Sequence, residues 1–315
     1  MKNKCLYCYN PVENGHYFHE KCSLEFFGVS PAPIIEYTLN QMDELAKSIV
    51  ERRISVPGVQ PKLSMSLIKK TDKRLTVIGA LGGQYIFKPP SDKYPEMPEN
   101  EHLTMRIAEA FGIRVVPSSL IRLASGELSY ITKRIDRTND DKKIHMIDMF
   151  QITEAFDKYK SSMEKVGKAI DSYSDHTLLD KILYFEIALF SFLTGNNDMH
   201  LKNFSMIKST SGWILAPAYD LLNVAIILPD DTEEMALTLA GKKKKLQRHH
   251  FEQFGKGLGL NDKQISGVFK RFLTNKPKAI NLIDQSFLSD NMKIAYKELM
   301  EKRYKQIKLI TDYKG

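Results

Sequence analysis

The 315-residue sequence predicts an α+β protein of two lobes, the first mainly β and the second mainly α. Three observations carry that reading. From about residue 54 to residue 135, short apolar or alternating runs are separated by Gly, Pro and Ser turns, the pattern of strands and hairpins. From His145 onward the apolar residues recur at helical spacing, notably near 161–171 and over 177–194. Acidic and amide side chains then gather on two loops of the second half, Gly195–Phe204 and Ala216–Leu222, each beside apolar structure. The expected division is residues 1–30 as a short Cys/His arm, 31–137 as the first lobe and 138–315 as the second.

In chain order, the arm carries all three cysteines. With His19 they read Cys5-x-x-Cys8, ten residues, His19-x-x-Cys22, and His16 competes as the fourth ligand. Thiolates and an imidazole at this spacing suit a closed structural zinc site, which would hold so short a segment folded. The alternative is a set of reduced, half-buried thiols. Ser30-Pro31-Ala32-Pro33 reads as a linker, and Leu39 to Arg52 as an amphipathic helix. The stretch Ile54 to Met65 is a Ser, Pro and Gly turn entering a strand, able to present backbone N–H groups to phosphate.

Leu75–Ala80 and Gln84–Lys88 read as a hairpin turning at Gly82-Gly83, with Lys88 closing the second strand. A helix follows from Pro98 to Phe111, with Glu101 in its first turn. Glu101 there either pairs with Lys88 or only favours the helix dipole. Val115–Leu123 and Leu128–Ile135 form another strand pair, turning at Ser125-Gly126, and 131–137 links the lobes. The apolar run Ile182–Leu193 suits a buried helix leading into the Gly195 loop. A short hairpin separates that loop from Asp220, and a pair of strands and then helices are expected beyond it.

The loop residues point to chemistry. Four residues lie between Asp198 and Asn203, the spacing of a protein-kinase catalytic loop, and Asp220 stands where a second metal-binding Asp is needed. One carboxylate faces the nucleophile, while a carboxylate and an amide oxygen suit magnesium, a hard cation. Lys202 adds positive charge nearby. A lone Asp-x-x-x-x-Asn is as readily a polar turn closing a helix; Lys88, Glu101 and Asp220 weigh against that.

Composition narrows the class. Hydrophobic content of 43% and charged content of 27% fit an ordinary globular protein rather than a disordered one. No apolar run spans a bilayer, and the basic start Met1-Lys2-Asn3-Lys4 has no apolar core behind it, so a cytoplasmic protein without membrane contact is expected. The net charge of +8 comes partly from Lys242–Lys245. No DNA-reading motif accompanies it, and direct nucleic-acid binding is not expected.

Assembled in order, these motifs resemble the HipA-type serine/threonine kinases, toxins of bacterial toxin–antitoxin systems, from about residue 50 to the C-terminal region. Ser55-Val56-Pro57-Gly58-Val59-Gln60-Pro61-Lys62 resembles that family's phosphate loop, and Tyr85-Ile86-Phe87-Lys88 its ATP-lysine strand. Lys133-Arg134-Ile135-Asp136-Arg137 resembles its hinge, and Asp198–Phe204 with Tyr219-Asp220 its catalytic and metal motifs. The resemblance implies a bilobal protein-kinase-like fold using ATP and magnesium. ATP would be bound by Ser55, Val56, Gly58, Val59, Lys88, Glu101, Lys133, Ile135 and His200. Asp198 and Lys202 would be catalytic, and Asn203 and Asp220 would hold the metal. It also implies autophosphorylation on Ser55, an aminoacyl-tRNA synthetase as protein substrate, and a DNA-binding antitoxin. The short stretch ahead of Ser55 resembles the HipT form, in which a small N-terminal subdomain is a separately encoded partner. The cysteine cluster is no part of the family pattern. A small-molecule kinase on the same architecture, or a non-catalytic binding protein, are the alternative functions.

Overall fold

The computed structural model describes residues 3–51, 62–68, 73–79, 82–138 and 140–309. The expected phosphate-loop residues Ser55, Val56, Gly58 and Val59 lie outside the described residues. The chain divides into two compact units. One comprises Met1–His102, Val116–Lys143 and Gln285–Phe287; the other comprises Leu103–Val115, Ile144–Asp284 and Leu288–Gly315. The sheet-rich first part and helical second part are those the sequence predicts.

The first unit is built on five antiparallel strands: β1 (Leu63–Ile68), β2 (Arg74–Gly79), β3 (Tyr85–Lys88), β4 (Ser118–Arg122) and β5 (Leu128–Lys133). Their order is β2-β1-β3-β5-β4. The β4–β5 hairpin is the expected one, with Ile121 opposite Ser129 and Leu120 opposite Tyr130. The expected hairpin of β2 with β3 does not form: β1 lies between them and pairs with both. The reason lies in Gly82-Gly83, which reads as a tight turn but serves as a crossing. Gly83 has φ +82°, and a Cβ there would run into the Met65 carbonyl. That close approach lets the next N–H, of Gln84, donate to the same carbonyl at 3.0 Å, so β3 starts on the far edge of β1.

The apolar residues of the sheet, Leu63, Met65, Leu75, Tyr85, Phe87, Ile121 and Ile131, share one core with α1 (Glu20–Phe27) and α2 (Leu39–Glu51). Phe26 and Phe27 of α1 and Met42 and Ala46 of α2 fill it. The helix α3 (Met97–Ala110) follows β3, and the division between the units falls within it.

The second unit holds a small antiparallel sheet of β6 (Met146–Asp148), β7 (Ser205–Ser209) and β8 (Gly212–Leu215), in that order. Its helices are α4 (Met149–Ile152), α5 (Met163–Tyr173), α6 (Thr177–Thr194), α7 (Arg248–Gly257), α8 (Asp262–Gln285) and α9 (Asp290–Gln306). Every residue of α6 from Tyr184 to Thr194 is buried, which is why this run is apolar on all sides. Phe111 packs edge-on against both Phe190 and Phe272. Asp180, buried on α6, accepts from the Ser174 hydroxyl and from the Leu215 N–H, both at 2.6 Å. This carboxylate ties the β7–β8 hairpin to α6 and so fixes the loop between them.

The strands expected after Asp220 are absent: among the described residues, 221–247 contains turns and isolated bridges only. Local backbone bonds such as Glu234 N–H to the Lys243 carbonyl at 2.7 Å are supplemented by side chains. Asn197 donates to the Glu233 carbonyl at 3.1 Å, and Glu234 accepts from the Leu246 N–H at 2.9 Å while pairing with Arg303. With their polar groups met in this way, these segments need no neighbouring strand. No helix among the described residues is long and apolar enough to cross a membrane.

A half-buried carboxyl in α3 gives a testable consequence. Burial, reinforced by Glu96, pushes Glu99 up to about 7. Between its ordinary value and about 7 the folded state holds a proton that the unfolded state has released, so stability falls as pH rises through that window. Glu99→Gln should exceed wild type by on the order of 1 kcal/mol at about pH 8 and converge with it near about pH 4, measured by urea unfolding.

Candidate active site

In the first unit, Lys88 ends β3 opposite Tyr130 of β5. Its Nζ donates to both carboxylate oxygens of Glu101, at 2.6 and 2.8 Å. Both residues are buried, 5% and 2% exposed, and the ammonium also lies 5.3 Å from the Tyr130 ring centroid. Of the two sequence alternatives for Glu101, the structure has the ion pair. A buried ammonium at a strand end, held by a helix carboxylate, is a cation aimed by its partner rather than a solvated surface lysine.

The segment after β5 is knotted by its own charges. Arg134 grips Asp136 with two hydrogen bonds of 2.9 and 2.7 Å, and Arg137 adds a third at 2.7 Å. Burial pushes the Asp136 carboxyl up, but the hydrogen bonds and charge of Arg134, with Arg137, hold it below the usual range. Arg134 also reaches the Ser64 hydroxyl and the Gly82 carbonyl, each at 3.3 Å. The Lys133 side chain turns the other way, over the Phe26 ring and toward the Glu25 carbonyl of α1. Lys133 and half-buried Ile135 can therefore serve a ligand here through backbone groups, not through the lysine ammonium.

In the second unit, α6 ends at Gly195, which takes the left-handed conformation with φ +72°. A Cβ there would lie 2.7 Å from Asn223 Oδ1, so only glycine fits. The chain turns through Asn196 and Asn197 to Asp198, and then forms a 3₁₀ turn at Leu201–Asn203. Met199, Leu201 and Phe204 point into the core, which sets the polar residues between them on the opposite side. Asn203 Nδ2 donates back to the Asp198 carbonyl at 3.0 Å; the flip is thereby fixed, and Oδ1 is the atom presented to a cation. The Tyr219 hydroxyl donates to the Lys202 carbonyl at 3.0 Å and meets Ser205 Oγ at 2.6 Å. It thus anchors the next residue, Asp220, to the same loop. Asp220 has φ +59°, a left-handed conformation held by its surroundings.

His200 lies among these groups, 6% exposed. Burial first, and then Lys158, push its pKa down against the opposing pull of Asp198 and Asp220, so the imidazole is neutral near pH 7. Lys158 Nζ lies 2.9 Å from Nε2. An ammonium can only donate, so Nε2 is the acceptor and Nδ1 carries the hydrogen. That Nδ1 is buried with no hydrogen-bond partner among the described residues. Lys202 rests over the Phe150 ring, 4.7 Å from its centroid.

Two residues absent from the sequence reading also meet here. The Tyr159 hydroxyl donates to Asp198 Oδ1 at 2.7 Å, and its ring packs edge-on against His200. Lys158 is the His200 partner. Both stand some forty positions from the loop, in a polar run with no distinguishing pattern. The donor set suits the two groups the fold implies. Asn203 Oδ1 and the Asp220 carboxylate are hard oxygen ligands of the kind magnesium takes. Within the second unit, the His200 Nδ1–H is a donor of the kind phosphate oxygens take; within the first, the Lys88 ammonium is another. Cys5, Cys8, His19 and Cys22 converge separately, in the N-terminal arm of the first unit.

The family described as the HipA-like C-terminal domain matches residues 54–280. A Haemophilus influenzae protein, provisionally described as a kinase, is 29% identical over 268 residues, covering 76% of this chain and 77% of its own. The serine/threonine-protein kinase toxin HipA of Shewanella oneidensis is 26% identical over 251 residues, 72% of this chain, which spans 57% of the toxin. A solved structure of the Shewanella oneidensis toxin–antitoxin system, HipA with HipB and operator DNA, aligns with a TM-score of 0.68 at 20% identity. That alignment covers 95% of this chain and 75% of that one. With the family match running through β1, β3, the Asp198 loop and Asp220, the chain belongs to the HipA-type kinases.

Proposed function

We propose that the protein is an ATP- and magnesium-dependent serine/threonine protein kinase, the toxin of a toxin–antitoxin pair. The observation that carries this reading is the order and type of five polar groups: the buried Lys88–Glu101 pair, then Asp198, Asn203 and Asp220 on one anchored loop system. Phosphoryl transfer requires positioning and charge neutralisation, and these groups supply both. Asn203 and Asp220 would hold magnesium, whose positive charge would offset the negative charge of the nucleotide phosphates. Lys88, held straight by Glu101, binds phosphate oxygens. Backbone groups near Lys133 and Ile135 meet the base. Asn203 Oδ1 and Asp220 hold the metal, and the His200 Nδ1–H and Lys202 add donors beside them. Asp198 accepts the proton of the incoming serine hydroxyl. In this reading the Tyr159 hydroxyl, donating to Asp198 Oδ1, occupies the acceptor that a serine hydroxyl would use.

The family resemblance supports an aminoacyl-tRNA synthetase as substrate and Ser55 as an autophosphorylation site. The Shewanella toxin is found with HipB and operator DNA, which supports a DNA-binding antitoxin as partner here. Incubation with labelled ATP, magnesium and a host lysate tests the reading. Label in one protein band is expected; label only in small metabolites would mean a small-molecule kinase.

Four variants probe the roles. Asp198→Asn should lose roughly 10²–10⁴-fold in phosphotransfer with its fold intact, while Asp220→Asn should shrink the rise in melting temperature that magnesium-ATP gives. Tyr159→Phe frees Asp198 of a competing donor worth about 1 kcal/mol, so kcat/KM should rise by up to about fivefold; a loss of turnover instead would make Tyr159 part of the catalytic machinery. Ser55→Ala should stay active longer under magnesium-ATP than wild type, because a phosphate there adds about −1.5 to −2 charge beside the nucleotide. Peptide mapping that finds Ser55 unmodified while substrate is labelled would remove the regulatory role.

A further inference from the structure

The N-terminal arm is organised around four side chains that the kinase chemistry does not use. Lys4 and Pro11 bridge as a narrow antiparallel loop. Within it, the chain turns from Cys5 to Cys8, closed by the Tyr9 N–H donating to the Cys5 carbonyl at 3.0 Å and the Cys5 N–H donating to Asn10 at 2.8 Å. The other pair comes from α1: His19 is its N-cap and Cys22 lies one turn on, so both project from one face. The four ligating atoms all lie within 4.8 Å of one another. His19 Nδ1 stands 3.4 Å from Cys8 Sγ and 3.7 Å from Cys22 Sγ. Zinc bonds of ~2.3 Å to sulfur and ~2.0–2.1 Å to nitrogen make a tetrahedral sulfur–nitrogen edge of roughly 3.5 Å, so these spacings are those of ligands around one metal.

The His19 ring is set for this task. Its Nε2 lies 2.9 Å from the Pro11 carbonyl, an atom that only accepts. Nε2 therefore bears the hydrogen, and the Nδ1 lone pair faces the thiols, the orienting arrangement that metal-bound histidines use. His16, the sequence's competing ligand, is exposed and outside the cluster. Three thiols and an imidazole form a soft donor set that favours zinc over the hard cation of the kinase site.

We propose that Cys5, Cys8, His19 and Cys22 bind a zinc ion as a closed structural site that fastens the arm to the first unit. Binding releases the three thiol protons to solvent and leaves the metal four-coordinate, with no position open for chemistry. The turn it fixes is the part of the arm that grips the unit. The Leu6 carbonyl accepts from the Leu120 N–H on the edge strand β4 at 3.2 Å. The Tyr9 hydroxyl meets His102 Nδ1 on α3 at 2.9 Å, and Lys4 Nζ donates to the Gln285 and Ser286 carbonyls, each at 2.8 Å. His102 is the neighbour of Glu101, so the metal braces the helix that carries the Lys88 partner.

The full chain, purified under reducing conditions without chelator, should contain about one zinc by elemental analysis. Cys8→Ser and His19→Ala should each lose most of it, and His16→Ala should keep it. Stripping zinc with a chelator should lower the melting temperature of wild type, and adding zinc back should restore it. Should the cysteine variants fail to fold, wild type loaded with cobalt should show the visible bands of a tetrahedral, thiolate-rich site. Folded wild-type protein without zinc, iron in its place, a disulfide found by thiol titration, or zinc lost on His16→Ala but kept on His19→Ala would each overturn the proposal.

Discussion

The buried pair of Lys88 and Glu101 sets the demands on the first unit. Removing two charges from water costs several kcal/mol per ion, and their attraction offsets this only when geometry is tight and the remaining valences are met. The structure meets those terms from several sides. Strand β3 delivers the ammonium at its last residue, with β5 beside it supplying the Tyr130 ring. Helix α3 delivers the carboxylate within its first turns, where Asn100 and His102 are also buried. Tyr9 meets that helix at His102. A small slip of β3 or α3 would leave a buried charge unpaired, so the pair acts as a register constraint on the strand, the helix and the arm.

The second unit solves a different problem with local means. Its functional groups come from a loop of a few residues, and a loop needs anchors. Gly195 turns the chain off a fully buried helix in a conformation that no side chain fits. Met199, Leu201 and Phe204 then alternate with His200, Lys202 and Asn203, so that burying the apolar residues orients the polar ones. Tyr219 closes the arrangement by holding the Lys202 carbonyl and Ser205 just before Asp220. The left-handed backbone at Asp220 is held by this anchor and by the β7–β8 hairpin that Asp180 ties to α6.

Much of this was legible because the signals are local. A run such as Tyr184–Thr194, apolar on all sides, has few fates other than a buried helix, and the spacing of Asp198 and Asn203 survives folding unchanged. Strand order was not legible. A Gly-Gly between two apolar runs reads the same whether it turns a hairpin or crosses β1, and the difference lies in the Met65 carbonyl, a backbone group of a distant strand. The segment after Asp220 misled for a related reason: its backbone is met by short turns and isolated bridges, with help from the side chains of Asn197 and Glu234, and no sequence signal separates these from strands. Tyr159 and Lys158 were missed because their role depends on a contact some forty residues away. Residues 131–137 were read as offering their backbone to a ligand, and the Lys133 side chain, turned toward α1, leaves that backbone reading as it was. The Cys and His cluster was legible from two short spacings: the sequence favoured His19 over the competing His16, and the structure gathers Cys5, Cys8, His19 and Cys22.

His200 shows how the same physics that stabilises the unit leaves room for a ligand. A buried donor without a partner costs about 1–3 kcal/mol, and a fold that only had to be stable would replace it. Here the imidazole is kept neutral by burial and by Lys158, whose ammonium takes Nε2 as acceptor and thereby points the N–H of Nδ1 inward. Protonation at low pH would remove that acceptor and set an imidazolium against the Lys158 ammonium, so the arrangement is lost as pH falls below the depressed pKa and is complete above it. A neutral donor beside Asp198 and Asp220 can meet a phosphate oxygen without neutralising either carboxylate. A positive histidine would draw both carboxylates toward itself. The unmet hydrogen bond and the depressed pKa thus share one source: burial keeps the imidazole neutral and leaves its Nδ1–H without a partner among the described residues.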